Sequence, residues 1–297
     1  MNVLISGSTG LIGTALTDTL VSAGHTVYPL LRNVSGDAIF YWNPEEKSIH
    51  LDETVTIDVV IHLAGENIAD SRWSEKKKQK ILQSRVIGTQ VLCQALANLK
   101  HKPGLLISGS AIGYYGETGD TMVDEKSQPG SGFLTDIAMQ WEAATQPAEQ
   151  AGIRTVHIRT GIVLSPLGGV LQKMALPVKL GVGGVVGNGQ QYMSWVSIND
   201  MINMIEFIME NNSLNGPVNM VSKSPVTNYT FTKTLGKVLG RPTLFPMPAF
   251  IARLLFGEMA DALLLSSSRV YPAKLEAEGY KYINPDLEDA LKDLLVK

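Results

Sequence analysis

Cysteine is nearly missing from this chain. Cys93 is the single one among 297 residues, which excludes an internal disulfide framework and fits a reducing compartment. It stands in the apolar helical run VLCQALANL as a small buried hydrophobe, with a reactive thiol as the alternative. Neither charge dominates: 25 Lys and Arg face 28 Asp and Glu for a net charge of -3, so nothing favours nucleic acid or an anionic membrane as partner. Long apolar runs are lacking too. Spanning a bilayer takes about 20 residues, and the nearest approach, MPAFIARLLFGEMADALLLSSS, is broken by Arg253, Glu258 and Asp261. No leader-like stretch stands ahead of NVLIS at Asn2, so the expectation is a soluble, cytoplasmic protein. No His/Cys/Asp cluster has metal-ligand spacing, so no metal is expected, and no G-x-S-x-G elbow points to a serine hydrolase.

What is present is an alternation. The chain is 44% hydrophobic, enough to bury a large core. Through the first half, short β-branched runs alternate with longer helical ones, the pattern of a parallel sheet with helices on both faces. NVLISG, HTVYPLLR, DVVIHLAG, GLLISGSA and RTVHIRTGIVL read as strands. LIGTALTDTLVSAG reads as a helix capped by Gly24, and a long helix over about 75–99 starts behind Ser74. Another is expected from Phe133 to Gln150. After Leu164 the alternation gives way to a glycine-rich stretch and then to helices separated by prolines. The expected fold is α/β: a Rossmann doubly wound parallel sheet in 1–165, with 195–225 returning to it. A smaller C-terminal substrate lobe would take 166–194 and 226–297.

SGSTGLIG sets Gly7, Gly10 and Gly13 directly between the first strand and a helix. That order suits a tight turn, close backbone approach to a pyrophosphate, and a helix N-terminus facing the anion. The second strand ends in Leu30, Leu31 and Arg32, with no carboxylate for the ribose hydroxyls. Arg32 can pair bidentately with a 2′-phosphate, so NADP(H) is the expected cofactor; a solvated strand-end arginine is the alternative. His62, inside an apolar strand, reads as a satisfied core histidine, and SEKKKQK as a solvated helix face.

SGSTGLIG, HLAG, GTQVL and SGSAIGYYG occur in the order found in extended short-chain dehydrogenase/reductases, the NAD-dependent epimerase/dehydratase superfamily. Further stretches, LAGENIADSRW, RTGIVLSPLGGVLQKM, GNGQQYMSWVSIND, GPVNMVSKSPVTN and RPTLFPMPAFIARLLFGE, resemble its atypical epimerase-like subgroup over nearly the whole chain. The resemblance implies NADP(H) held by the Gly7 to Gly13 loop, including Thr9, Gly10, Leu11 and Ile12, by Leu31 and Arg32, by Leu63 and Ala64, and by Arg85. It implies Gly65 and Glu66 along the same edge. Gln190, Ser197 and Asn199 depart from the subgroup's usual Arg, His and Asp, which puts substrate contacts there in doubt.

The superfamily's chemistry uses an Asn, a Ser or Thr, a Tyr and a Lys. By the resemblance, Arg85 takes the Asn position, Ser110 keeps the hydroxyl, and Leu134 and Ala138 fall on the Tyr and Lys positions if Glu142 is the usual helix glutamate. Tyr114 or Tyr115 can serve as acid/base beside a cation such as Arg85, or each can be a packed aromatic. The catalytic candidates are Ser110 and Tyr114. Asp70 and Arg72 read equally as a loop-fixing ion pair or as ligands, and Arg159 as a substrate contact or a structural partner. Leu180 to Trp195 reads as a glycine-hinged flap presenting Gln191, Tyr192 and Trp195 to a substrate, or as a surface loop. Two functions compete: an NADP(H)-dependent oxidoreductase or epimerase acting on a small molecule with a non-standard acid/base, and an NADP(H)-binding redox sensor without catalysis.

Overall fold

Strands buried at consecutive residues must be covered on both faces, and the central strands of this chain are. The computed structural model describes residues 1–32 and 39–296. In chain order the first half runs β1 (Asn2–Ser6), α1 (Leu11–Ser22), β2 (Thr26–Arg32), β3 (Phe40–Asn43), β4 (Ser48–Leu51), β5 (Val59–His62) and α2 (Glu75–Asn98). Then come β6 (Leu105–Ala111), a 3-10 turn (Ile112–Tyr115), α3 (Phe133–Ala143), α4 (Gln146–Gln150), β7 (Arg154–Thr160), β8 (Ile162–Ser165) and α5 (Gly169–Lys179). The remainder is β9 (Tyr192–Met193), β10 (Trp195–Ser197), α6 (Ile198–Glu210), β11 (Gly216–Met220), β12 (Val226–Thr227), α7 (Asn228–Leu239) and α8 (Ala249–Phe256). A π turn (Ala260–Leu265), α9 (Ala273–Ala277) and α10 (Leu287–Leu295) complete it.

The main sheet has eight strands in the order β11-β7-β6-β5-β1-β2-β3-β4, parallel except for the β3–β4 pair. Alternate residues point to opposite faces. Val3, Ile5, Val59, Ile61, Leu105, Ile107, Val156 and Ile158 join one core with residues of α1, α5, α6 and α10. Leu4, Val60 and Leu106 join the other with Leu92, Cys93 and Leu96 of α2 and with Phe40 and Trp42. This is the expected Rossmann-like layering, and α6 and β11 both belong to it.

Local chemistry sets the ends. Ser74 accepts a hydrogen bond from the Lys77 amide at 3.2 Å at the start of α2. Gly24, at φ +83°, stands where α1 ends, with the His25 amide bonded to the Leu20 carbonyl at 2.9 Å. The single helix expected over Phe133 to Gln150 is two: α3 stops at Ala143, and Pro147, which has no amide hydrogen to donate, lies in the first turn of α4. The β3–β4 hairpin was not expected. Its turn follows Asn43, whose Oδ1 accepts from the Glu45 amide at 3.1 Å, and Lys47 takes φ 53°.

Candidate functional site

The turn after β1 is built around its missing side chains. Gly7 adopts φ +75° and accepts the Gly10 amide at 3.0 Å. A Cβ on Gly7 would lie 2.8 Å from the Ala64 nitrogen, and one on Gly13 would lie 2.2 Å from the Gly7 carbonyl oxygen. The turn therefore presses against the end of β5, and α1 presses against the turn. Ser6 reinforces the join: its hydroxyl contacts His62 Nδ1 at 2.6 Å and accepts the Ala64 amide at 3.3 Å. His62 is fully buried, also bonded to Thr89 at 3.0 Å through Nε2, and burial with the Arg32 charge pulls its pKa down to about 4. It is the satisfied core histidine the sequence suggested. The free amides in the first turn of α1 open onto this edge with Thr9, Leu11 and Ile12, the arrangement that suits a pyrophosphate. Arg32 stands exposed at the end of β2, 5.8 Å from the Trp42 ring centre, beside Leu31. It forms no salt bridge among the described residues. The cradle and the cation together fit a phosphorylated dinucleotide.

The facing wall is Leu63, Ala64 and Gly65. Arg85 lies against it: a Cβ on Gly65 would be 3.2 Å from the guanidinium carbon. Arg85 donates to the Glu66 carbonyl at 3.0 Å and to the Ile81 carbonyl at 3.1 Å, and lies 5.0 Å from the Trp141 ring centre. Burial draws its pKa down to about 10 against the pull of Glu66, so it stays charged at neutral pH. Glu66 follows Gly65 on this edge, with its backbone carbonyl on Arg85. Its carboxylate is held by Lys77 at 2.8 Å and Lys80 at 3.5 Å, so the residue closes the loop rather than presenting a charge. Asp70 likewise pairs with Lys77, at 2.7 Å, and not with Arg72.

The end of β6 carries the second half of the site. Ser110 donates its proton to Glu142 Oε1 at 2.6 Å. Arg159 grips the same carboxylate with two bonds, Nε to Oε1 at 2.8 Å and Nη2 to Oε2 at 2.9 Å. Its Nη1 donates to the Tyr115 hydroxyl at 2.9 Å, which donates to Asn219 Oδ1 at 2.7 Å. The Arg159 side chain is only 3% exposed, and of the two readings of this residue structural pairing is the one its bonds display. Burial pushes the Tyr115 phenol up to about 12 despite Arg159, so Tyr115 stays neutral. Tyr114 is half-buried with the Arg159 guanidinium 3.4 Å from its ring centre, and its hydroxyl has no hydrogen bond among the described residues. The cation against Tyr114 is thus Arg159, not Arg85. Leu134 packs on Gly113, where a Cβ would be 3.1 Å away, and Ala138 is buried. Asn219 carried no sequence signal; only the β11–β7 pairing brings it here.

The glycine-rich stretch is pinned. Gln191 is buried and donates to the Val186 carbonyl at 3.0 Å and the Leu264 carbonyl at 2.9 Å. Trp195 is fully buried, its indole donating to the Ser224 carbonyl at 3.1 Å. Neither serves a flap over a substrate, because each has its polar atoms committed inside the fold. Tyr192 is half-buried, with Arg269 4.6 Å from its ring centre. Ser197 caps α6 by accepting the Asp200 amide at 3.0 Å, Asn199 donates to Asp293 at 3.0 Å, and Gln190 is exposed, so Ser197 and Asn199 serve the fold. Cys93 is buried and its thiol is pushed up to about 12 by burial, which leaves it inert. Among the described residues no carboxylate, histidine and cysteine group could hold a metal, and no helix is long and apolar enough to cross a membrane.

Residues 3–221 match the model of the NAD dependent epimerase/dehydratase family, and 247–294 match a domain of unknown function. An epimerase family protein of Mycobacterium bovis is 42% identical over 290 residues, 97% of this chain and 96% of that one. The crystal structure of human epimerase family protein SDR39U1, solved with NADPH, shares 34% identity and a TM-score of 0.91 over 99% of both chains. A Corynebacterium glutamicum structure described as a nucleoside-diphosphate sugar epimerase shares 32% identity and a TM-score of 0.83. There the match covers 99% of this chain and 58% of that one.

Proposed function

The chain belongs to the NAD dependent epimerase/dehydratase family, and on that premise we propose that it is an NADP(H)-binding oxidoreductase or epimerase acting on a small molecule without a tyrosine–lysine pair. The cofactor reading is supported by the glycine turn, by Arg32, and by the NADPH in the human relative's structure. Its pyrophosphate belongs on the amides of the Gly7 to Gly13 turn and its 2′-phosphate beside Leu31 and Arg32. Leu63, Ala64, Gly65 and Arg85 form the opposite wall. When bound, the nicotinamide supplies or takes up a hydride.

The observation that carries catalysis is the division of labour at the end of β6. Glu142, fixed by two bonds from Arg159, draws the Ser110 proton and leaves the serine oxygen as an acceptor for a substrate hydroxyl. Tyr114 keeps an unengaged hydroxyl for proton exchange, its ring fixed by Arg159. NADPH oxidation driven by fractionated metabolite extracts tests this. Turnover by the intact protein should fall at least tenfold in Tyr114→Phe and Ser110→Ala, about 1.4 kcal/mol or more, with NADPH affinity kept. Turnover unchanged in both variants, or neither NADPH oxidation nor isomerisation of any component with every fraction, would refute it, because an epimerase returns the hydride it takes and consumes no net cofactor.

A second reading, a redox sensor without catalysis, is favoured by Leu134 and Ala138, which stand at the positions of the tyrosine and lysine and can exchange no proton. It requires NADPH and NADP+ to bind with different affinities, because a ligand pair of equal affinity shifts no equilibrium.

A further inference from the structure

The segment from Glu66 to Ser74 leaves the cofactor-side wall at Gly65 and touches three parts of the molecule distant in sequence. At its start, Arg85 holds the Glu66 carbonyl at 3.0 Å. In its middle, Lys173 of α5 donates to the Ala69 carbonyl at 2.9 Å. The first residue of α5 rests on the glycine turn, since a Cβ on Gly169 would lie 3.3 Å from Leu11. Further on, the Arg72 guanidinium lies against Gly257, just past α8, where a Cβ would be 3.2 Å from Nη2. Trp73 meets the Phe133 ring edge-on at 5.2 Å. Lys78, in the first turns of α2, then pairs with Glu258 at 2.5 Å. One wall of the crevice is thereby tied to the element resting on the other wall and to the C-terminal segment.

We infer that Glu66–Ser74 is a clasp across the mouth of the cofactor crevice, held shut at its far end, where the Arg72 contact and the Lys78–Glu258 ion pair fix the segment and the adjoining first turns of α2 to the C-terminal segment, and that it opens for a dinucleotide to enter or leave. This rests on the NADP(H) reading above. A gate is crossed in both directions, so loosening it speeds entry and release together. A contact that merely holds the bound ligand slows release alone. The Lys78–Glu258 pair is partly exposed, so its loss corresponds to a change of about two- to fivefold in opening.

Stopped-flow NADPH fluorescence on the full chain reads both rates. Lys78→Met and Glu258→Gln should each raise association and dissociation about two- to fivefold, with no further gain in the double variant. Lys237→Met, which breaks the Lys237–Glu288 pair between α7 and α10, should leave both rates unchanged. If one variant fails to fold, the other decides. Rates insensitive to both substitutions, or faster release with unchanged entry, would overturn the clasp. No NADPH binding at all would overturn the cofactor reading and the clasp with it.

Discussion

Arg159 is the side chain on which most of the candidate site depends. It joins Glu142, Tyr115 and the face of Tyr114, and it does so from inside the protein. Replacing it with Met leaves the Glu142 carboxylate, 12% exposed, without its partner. Urea unfolding should show a loss of about 3–5 kcal/mol, the usual result of breaking a buried pair. Glu142→Gln, which keeps the shape and part of the hydrogen bonding, should cost less. His62 gives a second residue-scale expectation. Its folded pKa, about 4, lies below the ordinary value of 6.5. Below pH 6.5 the unfolded chain takes up a proton that the folded chain refuses. Its contribution is complete above that pH and falls by about 1.4 kcal/mol per unit toward pH 4. Unfolding measured at pH 7, 6 and 5 should show this slope, and His62→Gln should remove it. The sequence made His62 legible because it sits in an apolar strand. It left Arg159 between two readings because Glu142 lies 17 positions away on another element.

At the scale of elements, the glycine turn is the part the sequence specified most completely, since strand, turn and helix are contiguous there. Its steric demands give a direct expectation. Gly13→Ala places a methyl group against the Gly7 carbonyl, and Gly7→Ala adds an unfavourable φ of +75° to a clash with the wall at Ala64. Both should weaken dinucleotide binding at least tenfold by calorimetry, with the far-ultraviolet circular dichroism of the fold retained. The periodic strands and helices were also readable. The β3–β4 hairpin was not, because strands of four residues, FYWN and SIHL, are too short to establish a period. Pro147 marks the stop between α3 and α4, since it has no amide hydrogen with which to continue the first helix. The glycine-rich stretch misled for a physical reason: glycine permits a hinge, but here it permits close packing, as where a Cβ on Gly184 would lie 2.2 Å from the Phe245 carbonyl oxygen.

Over the whole molecule, the C-terminal segments are held to the doubly wound sheet by buried polar joints that no local pattern announces. Asp200, at the start of α6, accepts from the Tyr280 hydroxyl at 3.1 Å and from the Ile283 and Asn284 amides at 2.8 and 3.0 Å. Asp200→Ala leaves those donors unpaired, and hydrogen exchange over 280–296 should accelerate, with roughly 3 kcal/mol of stability lost. The central claim concerns what the assembled crevice holds. Calorimetric titration with NADPH, NADP+, NADH and NAD+ tests it most directly. The account predicts that both phosphorylated forms bind at least tenfold more tightly than the other two, about 1.4 kcal/mol, and that Arg32→Ala erases the difference. Equal affinity for all four, or binding of none, would contradict it.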